Sequence, residues 1–431
     1  MTLIAGLVLF ISFLVMLILS IPIAISIILS SLLTMLLILP FDVTVVTAAQ
    51  RMVTGIDNFT MLSIPLFVLA GILMNNGGIA FRLVNFAKVL VGKLPGSLAH
   101  TNIVGNMLFG SISGSSVAAA AAMGRIMTPL QVKQGYRKDY SAAANIASAP
   151  AGLLIPPSSL LIVYSLVSGG TSIAALFMAG YIPGILWGIT GMIVAYVLAK
   201  KHNYPISEKI SWKDRFFLIL DAIPSLLLII VVIGGIVGGI FTATEGAAVA
   251  VLYAFILSLI YKSFKIADIP TIIKETVEIT GMILLLITAS ALFSLVMSFT
   301  GLPEAISNGI LSLTENPILL LLLMNLILLL IGTFMDITPA VLIFTPIFLP
   351  IATSIGLDPV HFGIVIAFNL CIGNITPPVG SALFVGASVA NVKIESVIKT
   401  LVPYFIALIV MLLAITFIPQ LSLFLPNLFG L

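Results

Sequence analysis

Two short polar stretches interrupt an otherwise apolar chain, and their side chains set what chemistry is available. GSISGSS at 110–116 crowds Ser111, Ser113, Ser115 and Ser116 into a Gly-rich bend. GTFMDITP at 332–339 holds Asp336 and Thr338. Hydroxyls, together with carbonyls freed where the backbone leaves a helix, are hard oxygen ligands that suit a hard cation. A facing Pro-Pro break adds more carbonyls in each half: Gly152, Ile155 and Pro156 in the first, and Gly373, Thr376 and Val379 in the second. Few carboxylates lie nearby, so Na+ fits better than Ca2+. The expectation is two pseudo-equivalent Na+ sites, one in each half. One site is built from Ser111, Ser113, Ser116, Gly152, Ile155 and Pro156. The other takes Gly332, Asp336, Thr338, Gly373, Thr376 and Val379.

Ser158 and Ser159 follow the first Pro-Pro pair and open a new half-helix. Its free N–H groups and partial positive charge could hold an anion without a buried Arg. Both breaks lack a nearby basic residue. Plainer roles compete. Ser158, Asp336 and Thr338 are all helix-cap residue types, and Ser113 and Ala118–Ala122 are small enough simply to permit close packing. Asp336 is the sharpest candidate, because an acid at membrane depth is costly and usually functional. Glu245, in TATEGAAVAV, reads as a structural or interface residue near the outer surface.

The elements that must position these residues follow from composition. Of 431 residues, 61 % are hydrophobic and 8 % charged; a soluble protein carries about 25 % charged residues. Mean hydropathy is +1.29. This excludes a soluble globular enzyme, a disordered chain and a nucleic-acid binder, and leaves an all-α polytopic membrane protein in contact with lipid. Runs such as LLLIIVVIGGIVGGI do not alternate, which excludes a transmembrane β-barrel. The one cysteine, Cys371, excludes disulfides, and the three histidines lack zinc-ligand spacing. The N-terminus has no basic n-region or cleavage site and reads as a retained span.

Residues 1–39 carry no charge, and as one helix they would be about 58 Å long. The hydrocarbon layer is about 30 Å, so they make two spans turning near Ser20–Pro22. Further spans are expected at 60–76, 172–199, 216–241, 246–261, 279–299 and 401–419. Residues 78–93, with Arg82, Asn85 and Lys88, read as a basic amphipathic helix in the interface, with an ordinary loop helix packed on protein as the alternative, and 301–315 as a second surface helix. The polar segment 200–215, KKHNYPISEKISWKDR, holds five Lys/Arg and marks the cytoplasm. The expected divisions are N-terminal scaffold spans at 1–76 and a first repeat at 77–170. Scaffold spans at 171–299 and a second repeat at 300–392 follow, with a C-terminal span at 393–431.

The halves repeat at an offset of about 221 residues. Gly152 and Pro156-Pro157 match Gly373 and Pro377-Pro378, Pro129 matches Pro350, and Pro95 matches Pro317. Ser111 aligns near Gly332 and Ser116 near Thr338. Each bend has about 15 apolar or small residues on either side, roughly 22 Å of helix. That passes the midplane but falls short of a crossing, so each bend reads as a re-entrant hairpin. Each Pro-Pro pair interrupts a span. Lys88, Lys93, Arg125, Lys133, Arg137 and Lys138 flank the first hairpin; Glu304, Glu315, Asp358 and His361 flank the second. By the positive-inside rule the first enters from the cytoplasm and the second from outside. Inverted repeats with broken helices at the midplane mark secondary transporters.

Four motifs, TATEGAAVAV (242–251), GTFMDITPAVLIFTPIFLPI (332–351), GLDPVHFGIVIAFNL (356–370) and GNITPPVGSALFV (373–385), resemble the large membrane subunit of tripartite ATP-independent periplasmic (TRAP) transporters. GSISGSS and PAGLLIPPSS fit too. The resemblance implies a sodium-coupled importer of an organic acid anion: sialic acid, a C4-dicarboxylate or a sugar acid. It implies an elevator motion of hairpins and broken helices against a fixed scaffold, in the bacterial cytoplasmic (inner) membrane. It implies two partners, a small four-helix membrane subunit on a separate chain and an extracytoplasmic substrate-binding protein. It places Ser113, Ser158, Ser159 and Asp336 around the substrate. The main alternative is a stand-alone sodium/dicarboxylate symporter. An intramembrane serine protease using Ser113 would need a general base that His100, His202 and His361 are poorly placed to supply.

Overall fold

The computed structural model describes residues 2–206, 211–263, 265–314 and 316–431. All regular elements among them are helical. In chain order the first are α1 (Thr2–Ile18), α2 (Ile23–Ile38), α3 (Phe41–Thr54), α4 (Ser63–Asn76) and α5 (Ile79–Val91). Then come α6 (Ser97–Ser113), α7 (Ser116–Lys133), α8 (Lys138–Ser148), the single turn α9 (Ala151–Leu154), α10 (Ser159–Val167) and α11 (Ile173–Lys201). The middle of the chain forms α12 (Trp212–Val237), α13 (Ala243–Ile260), α14 (Ile269–Thr300) and α15 (Leu302–Leu313). The last third holds α16 (Pro317–Phe334), α17 (Ile337–Ser354), α18 (Pro359–Asn374), α19 (Ser381–Ala390), α20 (Ile394–Phe417) and α21 (Gln420–Phe429). Among the described residues eight helices are long and apolar enough to cross a bilayer. Counting 138–154 and 159–167, bent by 51°, as one span makes nine.

Helix ends extend past the apolar windows, because charge is tolerated at the membrane surface and caps compensate the free N–H groups. α12 starts inside the polar 200–215 segment, where Ser211 Oγ accepts from Asp214 N at 3.1 Å. α14 and α20 likewise start earlier than the apolar runs predict, at Ile269 and Ile394. α3 and α21 had no clear sequence signal. Glu245 is structural: it closes a capping box with Thr242 at the start of α13, accepting from Thr242 N at 2.8 Å. Residues 207–210 of the polar segment, and Glu315 among the acidic flanks, lie outside the described residues.

The helices pack in two groups. α1–α4 pack with α12–α14; α6–α11 pack with α16–α21. The arm helices touch both: α5 lies against α6 and α12, and α15 against α1, α14 and α17. The apolar face of α5 is buried in protein, with Leu83 and Ala87 fully covered. Its polar edge is pinned too. Arg82 Nε donates to Asp221 Oδ1 at 2.9 Å, and the guanidinium stacks 3.5 Å over the Tyr261 ring.

α11 packs on α6, α9, α18 and α20, although its place in the sequence grouped it with scaffold spans. Its small face explains this. A Cβ at Gly180 would lie 2.2 Å from Leu154 O, and one at Gly184 2.5 Å from Ile155 Cγ1. Trp187 Nε1 donates to Ala147 O at 2.8 Å. Beyond α11, Tyr204 stacks on Tyr136 with ring centroids 4.4 Å apart. Tyr136 Oη donates to Pro205 O at 3.2 Å, docking the start of the polar segment on the α7–α8 turn. Burial pushes both phenols above their ordinary range, so they stay neutral.

Candidate functional site

Glycine brings each bend against its facing break. A Cβ on Gly152 would lie 2.3 Å from Gly110 C and 2.5 Å from Ser111 N. A Cβ on Gly373 would lie 2.4 Å from Gly332 C and 2.7 Å from Gly332 O. No side chain fits, so backbone meets backbone in both halves. These contacts fix the repeat register more closely than the motifs do. Gly110, rather than Ser111, is the partner of Gly332, and Ser115, rather than Ser116, shares its N-cap position with a second-half residue, Asp336. The Pro156-Pro157 and Pro377-Pro378 bonds are both cis.

In the first half, Gly114 caps α6 in the left-handed conformation (φ 62°), and Ser115 caps α7 by accepting from Ala118 N at 3.2 Å. Ser159 Oγ, at the start of α10, donates to Gly114 O at 3.1 Å and ties break to bend. Ser113 Oγ donates to Ser115 O at 3.4 Å. Two predicted ligands turn their hydroxyls inward. Ser111 Oγ donates to Leu108 O at 2.9 Å. Ser158 is fully buried, donates to Leu153 O and caps α10 at Leu161 N. Ile155 ends α9 in an extended conformation with its side chain against Gly184 of α11, and Pro156 is buried beside it.

In the second half, Asp336 is the N-cap of α17, yet its carboxylate makes no cap bond. Oδ1 instead accepts from Asn374 Nδ2 at 3.0 Å and Ser381 Oγ at 3.2 Å. Asn374 Nδ2 also reaches Ser381 Oγ at 2.7 Å, and Asn374 Oδ1 accepts from Ser116 Oγ at 2.8 Å. One amide therefore joins the first bend to the second bend and second break. Val379 N donates to Thr333 O at 3.0 Å, a backbone link from break to bend. Thr376 Oγ1, in the break, donates back to Ile372 O in the last turn of α18 at 2.7 Å.

All the predicted site residues thus fall at the two bend–break junctions. The structure joins Ser116 to Asp336 through Asn374, and Ser159 to the first bend. Asn374 and Ser381 were missed. Ser381 stands 222 residues after Ser159 and repeats its role, so the internal repeat held the signal. Asn374 had only its place beside Gly373. The histidines stand elsewhere: His100 Nε2 lies 3.1 Å from Pro95 O, and His361 Nδ1 lies 3.2 Å from Ser422 Oγ. Neither pairs with a bend serine as a protease base must.

Known proteins give an independent reading. The family described as "Tripartite ATP-independent periplasmic transporter, DctM component" matches residues 10–421. YgiK of Salmonella typhimurium is 54 % identical over 98 % of this chain and 97 % of its own length. The sialic acid TRAP transporter large permease protein SiaM of Vibrio cholerae is 40 % identical over 89 % of this chain and 90 % of its own. The crystal structure of the Alcanivorax borkumensis YdaH transporter superposes with TM-score 0.60 at 16 % identity, covering 86 % of each chain, and so shares the fold. The chain belongs to the DctM family of TRAP transporter large permeases and is a multi-pass protein of the bacterial inner membrane, not an enzyme.

Proposed function

We propose that this chain imports an organic acid anion by sodium-coupled elevator motion, with the two bend–break junctions as its site. The observation that carries the reading is the Ser116–Asn374–Asp336–Ser381 network, which ties both repeats together where their helices break. Broken helices leave carbonyls at each junction for Na+, with Ser111, Ser113, Ser116, Gly152, Ile155 and Pro156 around one ion. Gly332, Asp336, Thr338, Gly373, Thr376 and Val379 surround the other. The N-termini of α10 and α19 converge on the same region and favour an anionic group. Ser113 and Ser159 line that side, and Ser158 holds the α10 N-terminus in place from behind as its cap. Asp336 repels a carboxylate, so it faces a cation or the hydroxyls of the substrate.

The names of relatives carry sialic acid, C4-dicarboxylates and 2,3-diketo-L-gulonate, and the substrate falls in that class of acids. The first hairpin enters from the cytoplasm and the second from outside, each re-entrant, in line with the charges on their flanks. The block α6–α11 with α16–α21 moves, and α1–α4 with α12–α14 stay. A small membrane subunit and an extracytoplasmic binding protein complete the transporter. Asp336→Ala and Ser113→Ala should each reduce uptake at least about tenfold at unchanged expression and membrane insertion. Full uptake by both would overturn this site.

A further inference from the structure

The inside of the first hairpin is polar where the fold does not require it. α6 and α8 run parallel, because Asn106 Nδ2 meets Asn145 Oδ1 at 3.0 Å and, further along both segments in the same direction, Gly110 meets Gly152 of α9. One turn back on both helices stand Asn102 and Ser141. α7 runs antiparallel beside them, with Gln131 Nε2 donating to Leu98 O at 3.0 Å. Asn102, Asn106, Gln131 and Ser141 are each at most 1 % exposed. Asn102 Oδ1 and Nδ2, Asn106 Oδ1, Gln131 Oε1 and Ser141 Oγ have no hydrogen-bond partner within the protein. Natural proteins pair nearly all such groups, or give them water or an ion. Three amide oxygens and a hydroxyl, without a carboxylate among them, match a singly charged hard cation with water.

The second repeat is the internal control. With α6 aligned on α16 through Gly110 and Gly332, and α7–α8 on α17–α18 through Pro129/Pro350 and Gly152/Gly373, the corresponding residues are Met324, Leu328, Ala352 and Phe362. All four are buried and apolar. At these four positions the packing is apolar in one half and polar in the other; the α16–α18 seam has its own buried amides elsewhere, Asn325 and Asn369, which bond to each other at 2.7 Å. The polar column begins one turn before the first bend and runs toward the α6 N-terminus, the end facing the cytoplasm in the proposed orientation.

Resting on that orientation and on sodium coupling, we propose that the interior of the first hairpin is a hydrated passage, lined by Asn102, Asn106, Gln131 and Ser141, through which an alkali cation moves between the first bend and the cytoplasm. The test is thiol accessibility in proteoliposomes holding the chain and its small subunit. The native Cys371 is fully buried and serves as the blank. Ser141→Cys should react with 2-aminoethyl methanethiosulfonate at least about tenfold faster than Phe362→Cys, and Na+ but not choline should slow it. Asn102→Cys gives a second reporter if Ser141→Cys folds poorly. Cysteines as inert as Phe362→Cys, or labelled at a rate that Na+ leaves unchanged, would overturn the passage. Labelling decides this without transport; loss of sodium-driven uptake by the wild type would count against the functional reading instead.

Discussion

Asn374 is the residue on which both halves meet. Its amide donates to a carboxylate and a hydroxyl and accepts from Ser116 across the repeat boundary. A hydrogen bond to a charged group contributes about 1.5–3 kcal/mol, and 1.4 kcal/mol is a factor of ten. Asn374→Ala should therefore lower uptake roughly 10- to 100-fold at normal expression, measured as initial rate per inserted protein. Ser159→Ala and Ser381→Ala each remove a neutral bond or one arm of the network, and should cost several-fold. An Asn374→Ala protein with wild-type rates would detach the network from transport. Ser116 and Asp336, the ends of this network, stood out in the sequence because polar residues are rare here. Ser381 was legible only through the repeat. Asn374 was not, because an amide near a break has many plain uses, and only the fold reveals its three partners.

At the scale of the elements, glycine decides how closely a bend and a break approach. Gly152→Ala and Gly373→Ala each force a methyl into backbone atoms less than 2.5 Å away, which the facing helix cannot yield without moving. Both variants should lose nearly all uptake and unfold at lower temperature. Gly281, in the middle of α14, has nothing within 4 Å of a built Cβ. Gly281→Ala should be neutral or more stable by about 0.5–1 kcal/mol, from backbone entropy alone. Thermal unfolding of the purified chains separates the cases. The arm helix α5 offers a second test. Arg82→Lys keeps the charge but loses the planar fork that pairs with Asp221 and stacks on Tyr261. The Asp221 side chain is 47 % exposed, so the ion pair contributes little. High salt should leave wild-type stability nearly unchanged, while Arg82→Lys lowers it through lost stacking. Breaks and bends were legible because Pro and Gly punctuate apolar runs. The starts of α12, α14 and α20 were not, since amphipathic helix beyond the hydrocarbon layer looks like loop to a hydropathy window. The burial of α5 against α6 and α12 was the second of two readings the sequence left open, because an apolar face fits lipid and protein equally well.

Across the whole molecule, two packed groups meet along the hairpins and are bridged by α5 and α15. Such a division lets one group slide while the other stays anchored, and the proposed elevator uses it. α11 shows the limit of chain order as a guide. Sequence position placed it with the scaffold, but Gly180 and Gly184 let it lie directly on the first break, so it would move with the site. The central claim is that this permease moves an organic acid with sodium, on delivery by a binding protein. The most direct measurement is uptake into proteoliposomes holding the chain and its small subunit. Sialic acid, succinate and 2,3-diketo-L-gulonate would be offered, each with and without an inward sodium gradient and its binding protein. The account predicts uptake of one of these acids only when sodium and the binding protein are both present. Equal uptake without sodium, or without any binding protein, would contradict it.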